Sequence, residues 1–381
     1  MQTSVDAQSA VQKAGTGFWI KLRDMIELQR EETMQKRTFI AGLLATTMMT
    51  AVPALAEWDG PTTGPTAADG KSIVVVAGDL KNGGILGVTT GVEEAAAKIG
   101  WDVRVLDGAG SIQGRTAAIG QALALKADGI IINGFDAVEQ QAALEGVVDA
   151  GVPMVAWHSG PVIGCDAPGG IFVNVSTDAM TVSEVAAEWA IDDAKAEGEE
   201  IGVVIFTDST YQIAIDKADR LKETVEAAGG KVLEYVDTPI ADTSTRMGPL
   251  TTSLLQKYGE SWTHALAIND LYFDFMGPSL AAAGLSPDAG PLAGSAGDGS
   301  EAAFQRIRSN GYQAITVAEP LNLQGWQLVD ELNRAIQGEA CSGYITSPAL
   351  VTPEGLAKLG DSNAFDPDIP YREAYAEIWG K

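Results

Sequence analysis

Short, unbroken apolar runs punctuate the chain, and between them apolar residues recur at three- and four-residue spacing. "SIVVVAG" begins at Ser72 and leads through a glycine turn into "ILGVTTGVEEAAAKIG", whose apolar positions fall on one helical face. The unit recurs in form: "WDVRVLD" with a helix over 113–126, "GIIIN" with a helix over 138–150, and then "VPMVAW". Runs without polar alternation are strands buried on both faces, so this series predicts a parallel sheet with helices on either side. After Trp157 the rhythm breaks in "HSGPVIGCDAPGG", whose glycines and prolines read as a connector.

A second series follows: "IFVNV", a helix over 179–197, "IGVVIF", a helix over 213–228, "KVLEYV", a helix over 246–258, "HALAI", a helix over 272–283, and "PLAGS". "QAITVAEP" and a helix over 324–337 then make one strand–helix pair more than a second lobe needs, so the chain is expected to return there to the first. The fold class this predicts is α/β, with two doubly wound parallel-sheet lobes. Residues 71–172 and 320–347 are assigned to the N-terminal lobe, and 173–319 and 348–381 to the C-terminal lobe. Repeated crossing makes a hinge rather than a loose linker. Residues 57–70, rich in Pro, Gly and Thr, read as an unpaired, flexible leader.

The N-terminus carries a different signal. "MQKRTFIAGLLATTMMTAVPALAEW" starts at Met34, places Lys36 and Arg37 before an apolar stretch, and closes on Ala54-Leu55-Ala56. This is the pattern of a secretory signal peptide over 34–56 with cleavage near Ala56, too short in its apolar core to be a permanent anchor. Residues 1–33 read as an upstream extension with Met34 as the initiator; the other reading is a short amphipathic helix around Phe18 to Leu28. Export implies a periplasmic location.

With 25 basic against 51 acidic residues among 381, the net charge of −26 excludes nucleic acid and anionic membrane as partners. Dispersed acidity points to a soluble monomer. Cys165 and Cys341 are the only cysteines, and an even count in an exported protein favours one disulfide, with two separately buried thiols as the alternative. Two histidines and two distant cysteines do not make a zinc site, so no metal is expected. "DGAGSIQGRT" resembles a dinucleotide loop only weakly, because it follows the second strand, and no cofactor is expected.

In open parallel sheets ligands bind beyond the carboxyl ends of the strands, where helix N-termini and loop amides converge. The residues closing the strands here are Asp79, Asn82, Asn133, Trp157, His158 and Ser159 in the first sheet, and Tyr211, Asn269, Asp298 and Glu319 in the second series. Acids, amides, hydroxyls and an indole suit a neutral, hydroxyl-rich ligand. Asp136, Asp208 and Asp270 stand equally well as helix caps. His158 and Ser159 are adjacent on an extended segment and cannot share a proton, and no G-x-S-x-G elbow surrounds the serine, so no catalytic residue and no enzyme activity are expected.

Five stretches carry a family resemblance: "KADGIIINGFD", "AGVPMVAWHSG", "HALAIND", "AGDGSEAAFQRIRSNG" and "ITVAEPLNLQGWQLVDELNRAIQG". From Lys71 onward the chain resembles periplasmic sugar-binding proteins of the ribose and galactose type, the solute receptors of ABC importers. The resemblance implies a type I periplasmic binding fold with three crossing strands at the hinge, a sugar or polyol in the interlobe cleft, and an ABC permease of the inner membrane as partner. A receptor feeding a chemotaxis or sensor-kinase system, or one for a non-sugar solute, is the alternative. The family often places Asp-Arg where this chain has His158-Ser159, Gln at Glu319, and an arginine near Ile215. Those departures predict a pocket more acidic than that of a pentose receptor, open even to an amine-bearing solute.

Overall fold

A computed structural model describes residues 58–160, 162–358 and 364–381; the export signal and the segment before it lie outside the described residues. The first sheet contains β1 (Ser72–Ala77), β2 (Asp102–Asp107), β3 (Gly129–Asn133), β4 (Met154–Trp157), β5 (Gly164–Ala167) and β6 (Ile171–Val175) in the order β2-β1-β3-β4-β6-β5. All neighbours are parallel except β5 and β6. Its apolar runs are continuous because alternate residues serve opposite faces. Ile73, Val75 and Ile131 pack with α1 (Gly83–Ile99) and α9 (Leu321–Gln337), whereas Val74, Val76 and Ile130 pack with α2 (Ile112–Ala124) and α3 (Gln141–Asp149).

The second sheet has the order β12-β11-β10-β9-β7-β8, built from β7 (Gly202–Thr207), β8 (Lys231–Asp237), β9 (His264–Ala267), β10 (Leu292–Ser295), β11 (Ile315–Ala318) and β12 (Ala349–Val351). Only β12 runs antiparallel to its neighbour. Around it lie α4 (Ala179–Glu197), α5 (Gln212–Ala227), α6 (Thr243–Tyr258), α7 (Gly277–Ala282), α8 (Glu301–Arg308) and α10 (Pro353–Lys358). The chain passes between lobes after β6, after β11, before β12 and once more ahead of the C-terminal helix Tyr371–Trp379, one passage beyond the three expected.

Three expectations are corrected. β6 belongs to the first sheet, pairing Trp157 with Val175, so the lobe boundary falls after Val175 rather than at 172–173. The supposed connector contains β5, which forms an antiparallel ladder with β6. α11 (Tyr371–Trp379) lies on the first lobe instead of the second: the Trp379 indole stacks on Trp326 at 5.4 Å and donates to Asp330 Oδ1 at 2.8 Å.

Nor is the leader unpaired. α9 is buried on nearly every side and carries Asp330, Asn333 and Arg334, polar groups that must find partners away from water. The leader supplies them: Asn333 Nδ2 donates to the carbonyl of Pro65 (3.1 Å), Arg334 Nη2 donates to that of Thr63 (2.6 Å), and the Ala68 N–H donates to Asn333 Oδ1 (3.0 Å). α9 meets α1 closely at Gly91 and Gly325, where a Cβ on Gly325 would stand 2.6 Å from the Gly91 backbone.

Cys165 in β5 and Cys341 just beyond α9 form a disulfide, with Cα atoms 6.1 Å apart. It ties the sheet edge to the helix that carries the chain back, across 176 residues of sequence. Replacing both cysteines by serine is expected to lower stability by about 2–5 kcal/mol, measured by urea unfolding of the oxidised protein. An unchanged midpoint and slope would contradict this.

Candidate functional site

The carboxyl edges of the two sheets face each other. Asp79 and Asn82 follow β1, Trp157 and His158 close β4, and across the gap stand Tyr211 after β7, Asn269 after β9 and Asp298 after β10. Together with Lys217 they line a cavity of about 60 Å³.

Glu319 lies at the crossing after β11 and is fully buried. Its Oε2 is 3.0 Å from His158 Nε2, accepts from Gln324 Nε2 at 3.1 Å and is approached by the Thr177 N–H at 3.4 Å. Lys217 Nζ is 3.8 Å from Oε1 and donates to the Ala296 carbonyl at 3.0 Å. Burial pulls the Glu319 carboxyl upward, but His158, Lys217 and Gln324 outweigh it and hold it below the ordinary carboxylate range. Burial lowers the His158 imidazole against the pull of Glu319, and its Nε2–H donates to the carboxylate. The ring stacks on Trp157 at 3.8 Å, and the Trp157 indole donates to Gln324 Oε1 at 2.9 Å.

Asp298 is set by its neighbour Asp270, whose Oδ2 accepts from the backbone N–H groups of Asp298 (3.2 Å), Gly299 (2.8 Å) and Ser300 (2.9 Å). Burial pushes the Asp298 carboxyl up to about 8; Lys217 opposes, Asp270 and Glu319 add to the rise, and a hydrogen bond with Asn82 opposes it again. That last contact crosses the cleft. So does Arg115, whose Nη1 donates to Tyr211 Oη at 3.2 Å while its Nη2 is held by Glu139.

Not every strand-end residue faces the cavity. Asn133 is a correction: it is fully buried and donates to the Ile85 carbonyl (3.0 Å) and to Thr89 Oγ1 (2.9 Å), because its side chain leaves the strand toward α1. Ser159 is a second, since its Oγ donates to the Trp157 carbonyl and its surroundings are an apolar groove behind β4. Asn82 doubles as the cap of α1, accepting from Gly84 and Ile85. Asp208 caps locally through Thr210 and holds the Ile240 N–H.

Lys217 was missed by the strand-end rule because it sits on α5. Its signal was a charge on the apolar stripe of Ala214, Ala218, Leu221 and Val225. It adds one cation to a lining that also carries Asp79 and Asp298. His158, Asp298 and Glu319 each offer a ligand atom within 4.8 Å of the others, a donor set that would suit a divalent ion. Lys217 already places a cation beside that set.

Two α/β lobes meeting at the polar ends of their parallel sheets define a cleft-binding protein. The family profile "Periplasmic binding protein domain" matches residues 73–340, and the chain belongs to that family. No curated protein sequence matches it significantly. Among solved structures it is similar to a galactofuranose binding protein, with 17% identity, TM-score 0.66, and 76% of this chain and 96% of that one covered. It is also similar to an ABC transporter solute binding protein from Agrobacterium vitis with bound allitol, at 18% identity and TM-score 0.64, covering 76% of this chain and 98% of the other. A Caulobacter myo-inositol binding protein bound to myo-inositol aligns at 21% identity and TM-score 0.63, covering 76% and 95%. The type I periplasmic binding fold read from the sequence is the fold observed.

The raised Asp298 carboxyl has a consequence for pH. An acid whose folded pKa lies above its unfolded value stabilises fully at low pH and loses that contribution as pH rises toward the folded pKa. Asp298→Asn is therefore expected to gain stability on the wild type as pH rises from 3.8 to about 8, followed by denaturant unfolding. A difference independent of pH across that window would place the carboxyl elsewhere.

Proposed function

We propose that this chain is the periplasmic solute receptor of an ABC importer, holding a neutral sugar or polyol between its lobes by hinge closure. The observation that carries the reading is a cavity to which both sheet edges contribute hydrogen-bonding groups, Asp79, Asn82 and His158 from one lobe and Tyr211, Asn269 and Asp298 from the other. A solute touching both sets favours the closed form, since only there can it satisfy all of them. The bound molecules named for the similar structures, allitol and myo-inositol, support a polyhydroxylated solute. The export signal read in the sequence and the disulfide support an oxidising, periplasmic setting. An ABC permease of the inner membrane is the partner this assigns, with the receptor acting as a monomer.

A thermal-shift panel of neutral sugars and polyols tests the reading. A solute at 100 times its dissociation constant adds about 2.7 kcal/mol to stability. Loss of uptake of that solute on deleting the gene would distinguish transport from signalling.

Closure itself can be obstructed at Gly84. A Cβ there would stand 2.6 Å from Asp298 Oδ2 and 2.7 Å from Asp298 Cβ on the other lobe. Alanine suits a helix better than glycine by up to about 1 kcal/mol. Gly84→Ala is thus expected to bind at least about tenfold more weakly by calorimetry while melting no lower than wild type; unchanged affinity would show that the lobes need not approach this closely.

A further inference from the structure

The lobes also meet at a point far from the crossings. The chain passes between them at β6, β11 and β12, which lie toward one side of the facing sheets, whereas β2 and β8 are the outer strands of the other side. Lobes that rotate about the crossings separate most at β2 and β8, so a contact there acts at the mouth of the cleft with the longest lever. Two contacts stand at that edge. The point where a Cβ on Gly110, after β2, would stand is 3.3 Å from Ala241 Cβ, after β8. Beside it, Arg115 on α2 meets Tyr211, which follows β7.

Tyr211 packs against the hydrophobic clusters of both lobes. Its ring and that of Phe135 each lie 5.8 Å from the Arg115 guanidinium carbon, and its hydroxyl accepts from Arg115 Nη1 at 3.2 Å. Glu139 fixes the guanidinium through two bonds to Nη2, of 2.6 and 2.9 Å. The first lobe therefore presents a preset donor, and the second brings an aromatic ring to it. Arg115 is buried and does not line the cavity that Tyr211 lines. Opening the lobes would exchange the phenol for water, and Arg115 Nε, buried with no hydrogen-bond partner among the described residues, would gain one. That gain offsets part of what the phenol and ring contribute, so the contact holds the lobes without locking them. We propose that Arg115 and Tyr211 form a clasp at the mouth of the cleft, made between lobes rather than with solute, which sets the free energy of closure and with it the affinity for every solute taken. This rests on the receptor reading above and adds Arg115 as a positioning residue. An apparent dissociation constant is the intrinsic one divided by the competent fraction, so a change in closure alone scales all solutes by one factor.

The test compares wild type with Arg115→Met, Tyr211→Phe and the double variant of the full exported protein, each checked by circular dichroism. In small-angle X-ray scattering without solute, both single variants are expected to show a larger radius of gyration than wild type, as the population moves toward open lobes. In calorimetry with myo-inositol, allitol and D-galactose, Arg115→Met is expected to raise the dissociation constant of each solute that binds wild type by one common factor of about ten, the scale of a hydrogen bond to a charged group. Adding Arg115→Met to Tyr211→Phe should weaken binding by less than about twofold further, because either change alone undoes the clasp. Tyr211→Phe carries the scattering test if Arg115→Met, which leaves Glu139 without its partner, fails to fold. Unchanged affinities in Arg115→Met, or losses that differ from solute to solute, would overturn the clasp and leave the receptor reading standing. Failure of all three solutes to bind wild type would count against the receptor reading, and the clasp would then be judged on scattering, where equal radii in wild type and Tyr211→Phe would overturn it as well.

Discussion

A carboxylate removed wholly from water must be matched on every side, and Glu319 draws its partners from both lobes. His158 and Gln324 reach it from the first lobe, Lys217 from the second, and Glu319 itself sits where the chain crosses between them. Desolvating four such groups is costly unless their geometry is good, so the arrangement holds only while the strand ends stand opposite one another. The closed cleft and the ionised Glu319 are therefore two descriptions of one condition. Parting the lobes would bring water to the site and weaken the dependence of each group on the others.

The same logic organises the first lobe around α9. Its apolar face fills the core against α1, but Asp330, Asn333 and Arg334 are buried with it. Each is satisfied by a segment distant in sequence: leader carbonyls for Asn333 and Arg334, and the Trp379 indole for Asp330. The ends of the described chain are tied down because a central helix needs donors and acceptors that the sheet, already paired, cannot supply.

Element order and both sheets were legible because buried parallel strands leave unbroken apolar runs. Ile73 and Val74 face opposite cores, and both must be apolar. Other features were not local. β6 reads the same in either lobe, and only its register against β4 assigns it to the first. Asn133 and Asp298 are both polar residues just at or past a strand end, yet one turns into α1 and the other into the cleft, since direction depends on the packing of the next helix. Lys217 escaped for a related reason: a lysine on an apolar stripe reads as tolerated until its ammonium is seen to reach a strand end.

The exterior and the cleft follow different electrostatic rules. A net charge of −26 gives the surface a repulsive field for anions, but at physiological ionic strength it is screened over about 8 Å. Inside, the groups are within a few ångströms of each other and shielded from salt, so they answer to their immediate partners. There Lys217 offsets Glu319, and burial keeps a proton on Asp298. An acidic protein can in this way offset part of the charge in its cleft, where Asp79 remains as an acid of the lining and its side chain accepts from the Lys81 backbone N–H.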